Sequence, residues 1–343
     1  MKVLLVKLGA LGDVLRTTPL LEGLRKKYPQ CHVTWLVDPQ NRAVLEHNPR
    51  IDRLESFTRE NQDWKNTRYD VVINLDKEPE ALEALEGMKA GLKMGFGSTR
   101  DGKVCPVNAL SEYAYRLGVD DDLKFRTNQK TYQEISFEQV GLKFQKEEYE
   151  FTPDAESLTK AQSLLREKGF DPAKKSARVI GINTGSGNRF AGKKLPQESY
   201  KALAEKCHQT LGVTVFLLGG EDEKERNRWI QMNAGVPVVD TGSHSIQVFS
   251  GIVKACDLVI TGDTTAMHVA IAMKVPVLAY FASTCAAEIE LYGRGRKIVS
   301  NIICAPCYKR DCPIDEQCMK DMDMEKFVRS AKEILESRAA YVP

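Results

Sequence analysis

Residues 2–19 read KVLLVKLGALGDVLRTTP. A continuous apolar run of strand length, 2–8, passes through a glycine turn into a helix. Runs of this kind are buried on both faces, which is the habit of strands in a parallel sheet covered by helices. The turn "GALGD" follows the strand directly, where open α/β sheets bind their ligands. Gly9 and Gly12 allow a tight turn and close backbone approach. A phosphate loop would carry Lys, Ser or Thr at its end; this one carries Asp13. Thr18 is expected to cap the helix that Pro19 opens.

The same alternation recurs. "HVTWLVD" (32–38) and "YDVVINLD" (69–76) are further strands, with a helix at 20–28 between the first strand and the second. Residues 120–153 turn polar and weakly periodic, as at the end of one domain and the approach to a linker. A helix at 155–169 then stops at Gly169, and the alternation restarts. Strands are expected at 177–183, 213–220, 237–240, 257–263 and 275–281. Helices fall at 198–209, from Glu221, at 245–256 and at 266–274, and a last one spans 324–340. The fold class is α/β, with two doubly wound Rossmann-like halves, 1–153 and 154–343, facing a central cleft. The final helix is free to pack back on the first half.

The totals bound the function. The chain has 343 residues, 28% charged and 42% hydrophobic, with formal net charge +2. A dedicated nucleic-acid binder usually shows a strong basic excess, so no nucleic-acid partner is expected. No segment approaches the ~18 apolar residues of a membrane span. The N-terminal apolar run is short and interrupted by Lys7, unlike a secretory signal. A cytoplasmic protein follows, with room for peripheral membrane contact. Nine cysteines in such a chain read as free thiols or ligands sooner than disulfides.

Asp13 reads either as a helix N-cap or as a general base for a hydroxyl nucleophile. Lys7 and Arg16 nearby would keep it ionised and attract an anionic substrate. In the second half, "NTGSGNRFAGKKLP" (183–196) offers Thr184, Gly185 and Ser186 as small donors and Lys193 and Lys194 as cations. That inventory suits a diphosphate, although the loop also reads as solvated lysines. Glu221, after "GG", reads as a ribose acceptor or as a charge in a helix's first turn. In "TGDTTAMH", Thr264 and His268 fall on one helix face at the mouth of a strand. His268 is then either functional or a satisfied core histidine; His32, His47, His208 and His244 lack such a setting. Cys304, Cys307, Cys312 and Cys318 lie within fifteen residues. They read as a structural zinc or iron clip, or as free thiols or disulfides formed on oxidation, the second spacing departing from a zinc ribbon.

Taken in order, "VLLVKLGALGDVLRTTPLLEGLRKKYP", "VIGINTGSGNRFAGKKLP", "VFLLGGEDE" and "CDLVITGDTTAMHVAIAMKVPVLAYF" resemble the heptosyltransferases of glycosyltransferase family 9, which build the inner core of lipopolysaccharide. The resemblance implies the two-domain GT-B architecture, with acceptor on the first half and nucleotide-sugar on the second. It implies ADP-heptose as donor, a Kdo-lipid A type acceptor and transient contact with the inner face of the inner membrane. It implies Asp13 as the base, with Lys7, Gly12 and Arg16 toward the acceptor. Lys193 would meet the donor phosphates, Glu221 the nucleoside, and Asp263, Thr264, Thr265 and His268 the diphosphate. Thr265 stands where the family usually has glycine, and Leu195 where many members have Trp. The cysteine segment occurs in some members and not in others. No cofactor is expected for catalysis. A relative with another nucleotide-sugar or a protein acceptor, a nucleotide-sugar sensor and an NAD(P) oxidoreductase are the alternatives. The missing GxGxxG fingerprint disfavours the last; a sensor needs no base. The sequence leaves the oligomeric state open.

Overall fold

The structure, a computed structural model, describes residues 1–339 except 59, 61, 175, 176, 188 and 189. The chain divides into two compact units. One comprises Met1–Thr152 with Ala287–Glu290; the other comprises Pro153–Ala286 with Leu291–Pro343.

The first unit is built on β1 (Lys2–Val6), β2 (His32–Val37), β3 (Arg53–Ser56), β4 (Tyr69–Asn74), β5 (Ala90–Ser98) and β6 (Val104–Pro106). They form one sheet in the order β3-β2-β1-β4-β5-β6. All neighbours are parallel except β5 and β6. The runs read as strands in the sequence are the central ones, and Leu4, Val6, Leu36 and Val72 close one core with Trp64 and Tyr69. The strands toward the two edges, β3, β5 and β6, were not foreseen. β3 has no buried residue, and β5, "AGLKMGFGS", is broken by glycines and half exposed. Gly95 there has φ +92°, and a Cβ on it would stand 1.9 Å from the Asn74 carbonyl oxygen.

Two local readings are corrected. Thr18 does not cap the Pro19–Lys27 helix with its side chain; it is helical itself, and its hydroxyl donates to the Leu15 carbonyl at 2.7 Å. A helix, Leu11–Thr17, already precedes it. The polar stretch 120–153 contains the helix Tyr132–Gln139, opened by a capping box between Thr131 and Glu134. Phe137 on that helix is buried, and its ring fills the space a Cβ on Gly23 would need. The segment therefore packs on the first unit rather than linking away from it.

The second unit has β7 (Val179–Asn183), β8 (Thr214–Leu218), β9 (Val238–Asp240), β10 (Leu258–Gly262), β11 (Val277–Phe281) and β12 (Gly295–Val299). The order is β12-β11-β10-β7-β8-β9, parallel throughout. The last helix, Met324–Ala339, packs on this unit's own core. Phe327, Val328, Ala331, Ile334 and Leu335 enter the same core as Ile182, Leu217 and Ile260, and Phe327 meets the Tyr280 ring at 5.6 Å. Its apolar stripe at helical spacing finds its partner on the nearest sheet face. Residue 340, at the end of the expected helix, lies outside the described residues.

Register sets up the sites. Val6 stands opposite both Leu36 and Asn74, so the loops after β1, β2 and β4 leave the sheet at one level. Asn183 is level with Leu218, and Ile182 with Ile260, so the loops after β7, β8 and β10 do likewise. These are the two carboxyl edges on which ligand sites of such sheets form.

Candidate active site

On the first unit, Asp13 lies in the first turn of the Leu11–Thr17 helix and is not its cap; Ala10 holds that position. An acidic side chain there is favoured by the helix dipole. Its carboxylate receives Arg16 at 2.7 Å and keeps 30% side-chain exposure. Arg16 lies 4.0 Å over the Tyr132 ring and 3.8 Å from Glu288. Burial opposes the charge on Arg16, but Asp13, Tyr132, Glu288 and Tyr149 outweigh it and push its pKa up. The Thr17 hydroxyl ties the turn, donating to the Asp13 carbonyl at 2.7 Å and meeting the Tyr132 hydroxyl at 2.8 Å.

Lys7 is buried. Its ammonium faces the Leu75 carbonyl and Asp76, each at 3.4 Å. Burial pulls its pKa down, while Asp13, Tyr132 and Asp76 prevail and raise it. Lys7 is therefore an internal counterion at this edge. Gly12 is buried inside the helix rather than in the turn; the turn's own glycine is Gly9.

On the second unit, Thr184 is fully buried. Its hydroxyl donates to Asn227 at 2.5 Å, and its carbonyl accepts from Arg226 at 2.6 Å. Its side chain thus holds the loop. Gly185 is needed for close approach: a Cβ there would stand 2.4 Å from the Glu223 carboxyl carbon. Ser186 is partly exposed; Asn188 and Arg189 of this loop lie outside the described residues. Lys193 brings its ammonium to 3.8 Å from Asp263, and His268 stands 4.0 Å from the other oxygen of Asp263. Thr264 is the extended cap residue of the helix Thr265–Ala272, whose first N–H groups have no intrahelical acceptor. Asn183 joins the two loops, donating to the Gly185 carbonyl at 2.7 Å and lying 3.2 and 3.3 Å from the Thr261 and Thr264 hydroxyls. Leu195 is a core residue whose N–H goes to the Tyr200 hydroxyl.

Glu221 is 73% exposed and pairs with Lys224 at 3.3 Å. Glu223, two residues on, is the buried carboxylate. It accepts from the Gly220 N–H at 2.9 Å and lies against Gly185. The sequence reading missed Glu223, Asn183 and Glu288. Glu223 was within reach, since a short 3-10 turn, Glu221–Glu223, brings its third residue back to the strand end. Glu288 had no local signal.

The four clustered cysteines all line one largely apolar pocket with Gly192 and Ser283. Among the described residues, no three His, Cys, Asp or Glu side chains are gathered so as to hold a metal ion. The close tetrahedral thiolate cage that the clip reading needs is therefore not formed among them. No disulfide joins any of the nine cysteines. Burial, and then Cys312, Cys304 and Cys307, push the Cys318 thiol up to about 11.

Two doubly wound α/β units, parallel except at β5–β6, are the halves of the GT-B fold. Residues 58–317 match the profile of glycosyltransferase family 9 (heptosyltransferase), and the chain belongs to that family. It is 25% identical over 338 residues to lipopolysaccharide heptosyltransferase 1 of Pseudomonas aeruginosa, covering 91% of this chain and 87% of that one. It is 27% identical over 167 residues to lipooligosaccharide heptosyltransferase 2 of Campylobacter jejuni. That match spans 47% of this chain and about half of the relative, 52%. The solved E. coli ADP-heptose lipopolysaccharide heptosyltransferase II has the same fold, with TM-score 0.69 at 15% identity over 99% of this chain and all of that one.

Proposed function

We propose that this chain moves a heptose from ADP-heptose to a Kdo- or heptosyl-lipid A type acceptor of the lipopolysaccharide inner core, with inversion. The observation that carries this is the division of charge between two strand-end sites in a member of family 9. One site presents a carboxylate, Asp13, beside a fixed cation. The other gathers Lys193 and a helix N-terminus.

In this reading residues 1–153 take the acceptor and 154–343 the donor. Asp13 accepts the proton of the acceptor hydroxyl, and that oxygen bonds to the anomeric carbon of the heptose. The bond from that carbon to the diphosphate oxygen breaks, and ADP leaves with the electron pair. Lys193 and the N–H groups at Thr264 and Thr265 stabilise the charge that develops on the leaving diphosphate. Asp263 and His268 orient that cation and helix end. Arg16 attracts the anionic acceptor and fixes the carboxylate. Glu223, rather than the exposed Glu221, is the carboxylate placed to accept from the nucleoside's hydroxyls. Neither proton nor phosphate chemistry here calls for a cofactor.

A lipid-linked acceptor requires meeting a membrane surface. No helix among the described residues is long and apolar enough to cross one. In the basic run at 25–27 two of the three cations are paired, Arg25 with Asp52 and Lys26 with Glu22 and Glu147, while Lys27 donates to the Gly141 carbonyl. Contact is therefore proposed to run through the acceptor itself. Anionic liposomes with and without acceptor lipid, at physiological salt, test this. Retention without acceptor, or none with it, would sink the idea.

The deciding assay is transfer from ADP-heptose to Kdo-containing lipid A acceptors. A heptosylated product supports the reading. Turnover of UDP- or GDP-sugars instead, with no product from ADP-heptose, would leave the family standing and remove the heptose assignment.

A further inference from the structure

We propose that Asp76, together with Asn41, is the positioning element for Asp13: the two side chains clamp the turn from which the base projects. The proposal rests on the transferase reading for its kinetic consequence, but its geometry is independent of it.

Asp76 stands two residues beyond β4 and is 2% exposed. One carboxylate oxygen accepts from the backbone N–H of Leu8 and of Gly9, each at 2.8 Å, and faces Lys7 at 3.4 Å. The other accepts from the Glu78 N–H at 3.1 Å. From the opposite side, the Asn41 amide donates to the Leu8 carbonyl at 2.9 Å and the Gly9 carbonyl at 2.8 Å. The N–H and carbonyl of both turn residues are thus taken by two side chains from two other loops.

The clamp is itself braced. The Asp76 N–H donates to Asn74 at 3.0 Å, and the Asn74 amide donates to the Phe96 carbonyl of β5 at 2.9 Å. A line of hydrogen bonds therefore runs from β5 through β4 to the turn after β1. The base lies just beyond: the Asp13 N–H donates to the Ala10 carbonyl at 2.7 Å, so the helix that carries it starts where the clamped turn ends. Gly9 fits the same account, since a Cβ there would stand 3.1 Å from the Lys7 ammonium and 3.3 Å from the Asp76 carboxylate.

A buried carboxylate is costly unless its lone pairs are used. Here they are used on the backbone of the functional turn. Neutralising Lys7 alone would not require two peptide N–H groups of that turn, nor would it explain Asn41, which is uncharged and grips the same residues. The arrangement is that of a shell holding a reacting group within a fraction of an ångström of its working position.

The test uses Asp76→Asn and Asn41→Ala in the full chain, read two ways. In amide hydrogen exchange by NMR, the Leu8 and Gly9 N–H groups are expected to exchange at least ~10-fold faster in the variants, with Val3–Val6 unchanged. In the transfer assay, kcat is expected to fall at least ~10-fold while the donor KM stays within about twofold. A role in general stability would speed exchange throughout β1 and leave the kcat of the folded fraction unchanged; that result overturns the proposal. Unchanged exchange at both amides overturns it too. Should Asp76→Asn fail to fold, Asn41→Ala carries the same test, since Asn41 is only partly buried and the Lys7–Asp76 pair stays intact. If the wild type transfers nothing while the exchange responds as stated, the clamp stands and the transferase reading falls.

Discussion

Arg16 meets the carboxylate of Asp13 at 2.7 Å, three residues away on the same helix face. Its guanidinium is also stacked on Tyr132, so the cation cannot swing away without losing a second contact. Stacking of this kind is worth ~0.5–2 kcal/mol. The pair keeps a charged carboxylate aimed at one place, which is the requirement for a base that must meet a hydroxyl within hydrogen-bond reach.

Asp13→Asn keeps the side chain's size and its contact with Arg16 but removes the basic oxygen. Transfer is expected to fall by ~10²-fold or more, with ADP affinity by calorimetry unchanged. A variant within a few-fold of wild type would remove Asp13 from the chemistry.

Lys193→Ala removes the cation beside Asp263. The loss is expected in donor binding and in departure of the diphosphate together, ~10–10³-fold in kcat/KM. Normal kinetics in this variant would place the diphosphate elsewhere on the unit.

Gly262→Ala probes the backbone behind Lys193. The added Cβ would stand 2.5 Å from the Lys193 carbonyl oxygen, and a backbone atom cannot step aside as a side-chain end can. A cost of ~1–3 kcal/mol in urea denaturation is expected, with weaker ADP binding. A variant as stable and as tight as wild type would mean the β10 and Lys193 loops are not packed as described.

Asp76 carries a pH signature. Burial alone would raise its carboxyl, but Lys7 and the N–H groups of Gly9, Glu78 and Leu8 prevail and hold it below its ordinary value of 3.8. Its contribution to stability is therefore full above that ordinary value and is lost as pH falls through the lower folded value. The stability gap between wild type and Asp76→Asn should be widest near neutrality and close in strong acid. A gap independent of pH would mean that the carboxylate's charge contributes nothing.

At Lys77 burial prevails instead. Burial first, and then Lys124, pull its pKa down from 10.5 to about 8, with Glu288 acting against them. Its ammonium donates to the Ala114 carbonyl at 2.9 Å. The unfolded chain holds that proton more tightly, so this group makes stability rise with pH between about 8 and 10.5. An NMR titration of the Lys77 side chain should give a midpoint near the lower figure; a midpoint near 10.5 would contradict the burial described.

The central strands were legible because each is a continuous apolar run closed by a post-strand loop, and a run buried on both faces leaves no other choice. The same logic located the "GALGD" turn, the Lys193 loop and the Asp263–His268 segment, whose motifs are local. β3, β5, β6 and β12 were not legible. β3, β6 and β12 are edge strands and β5 is their half-exposed neighbour, and the existence of such strands depends on a neighbour's hydrogen bonds more than on their own side chains. The choice between Glu221 and Glu223 turned on a single short turn, which composition does not describe.

By itself, then, the sequence determined the class of fold and the candidate segments at the strand ends, because hydrophobic period and glycine placement are properties of short stretches of chain. Only the tertiary structure decided which side chains those segments share. Asp76 reaches Leu8 and Gly9 across 68 and 67 residues, and Glu288 approaches Arg16 from the far half of the chain. Strand register and loop packing create such neighbours, and neither is written in the residues that meet.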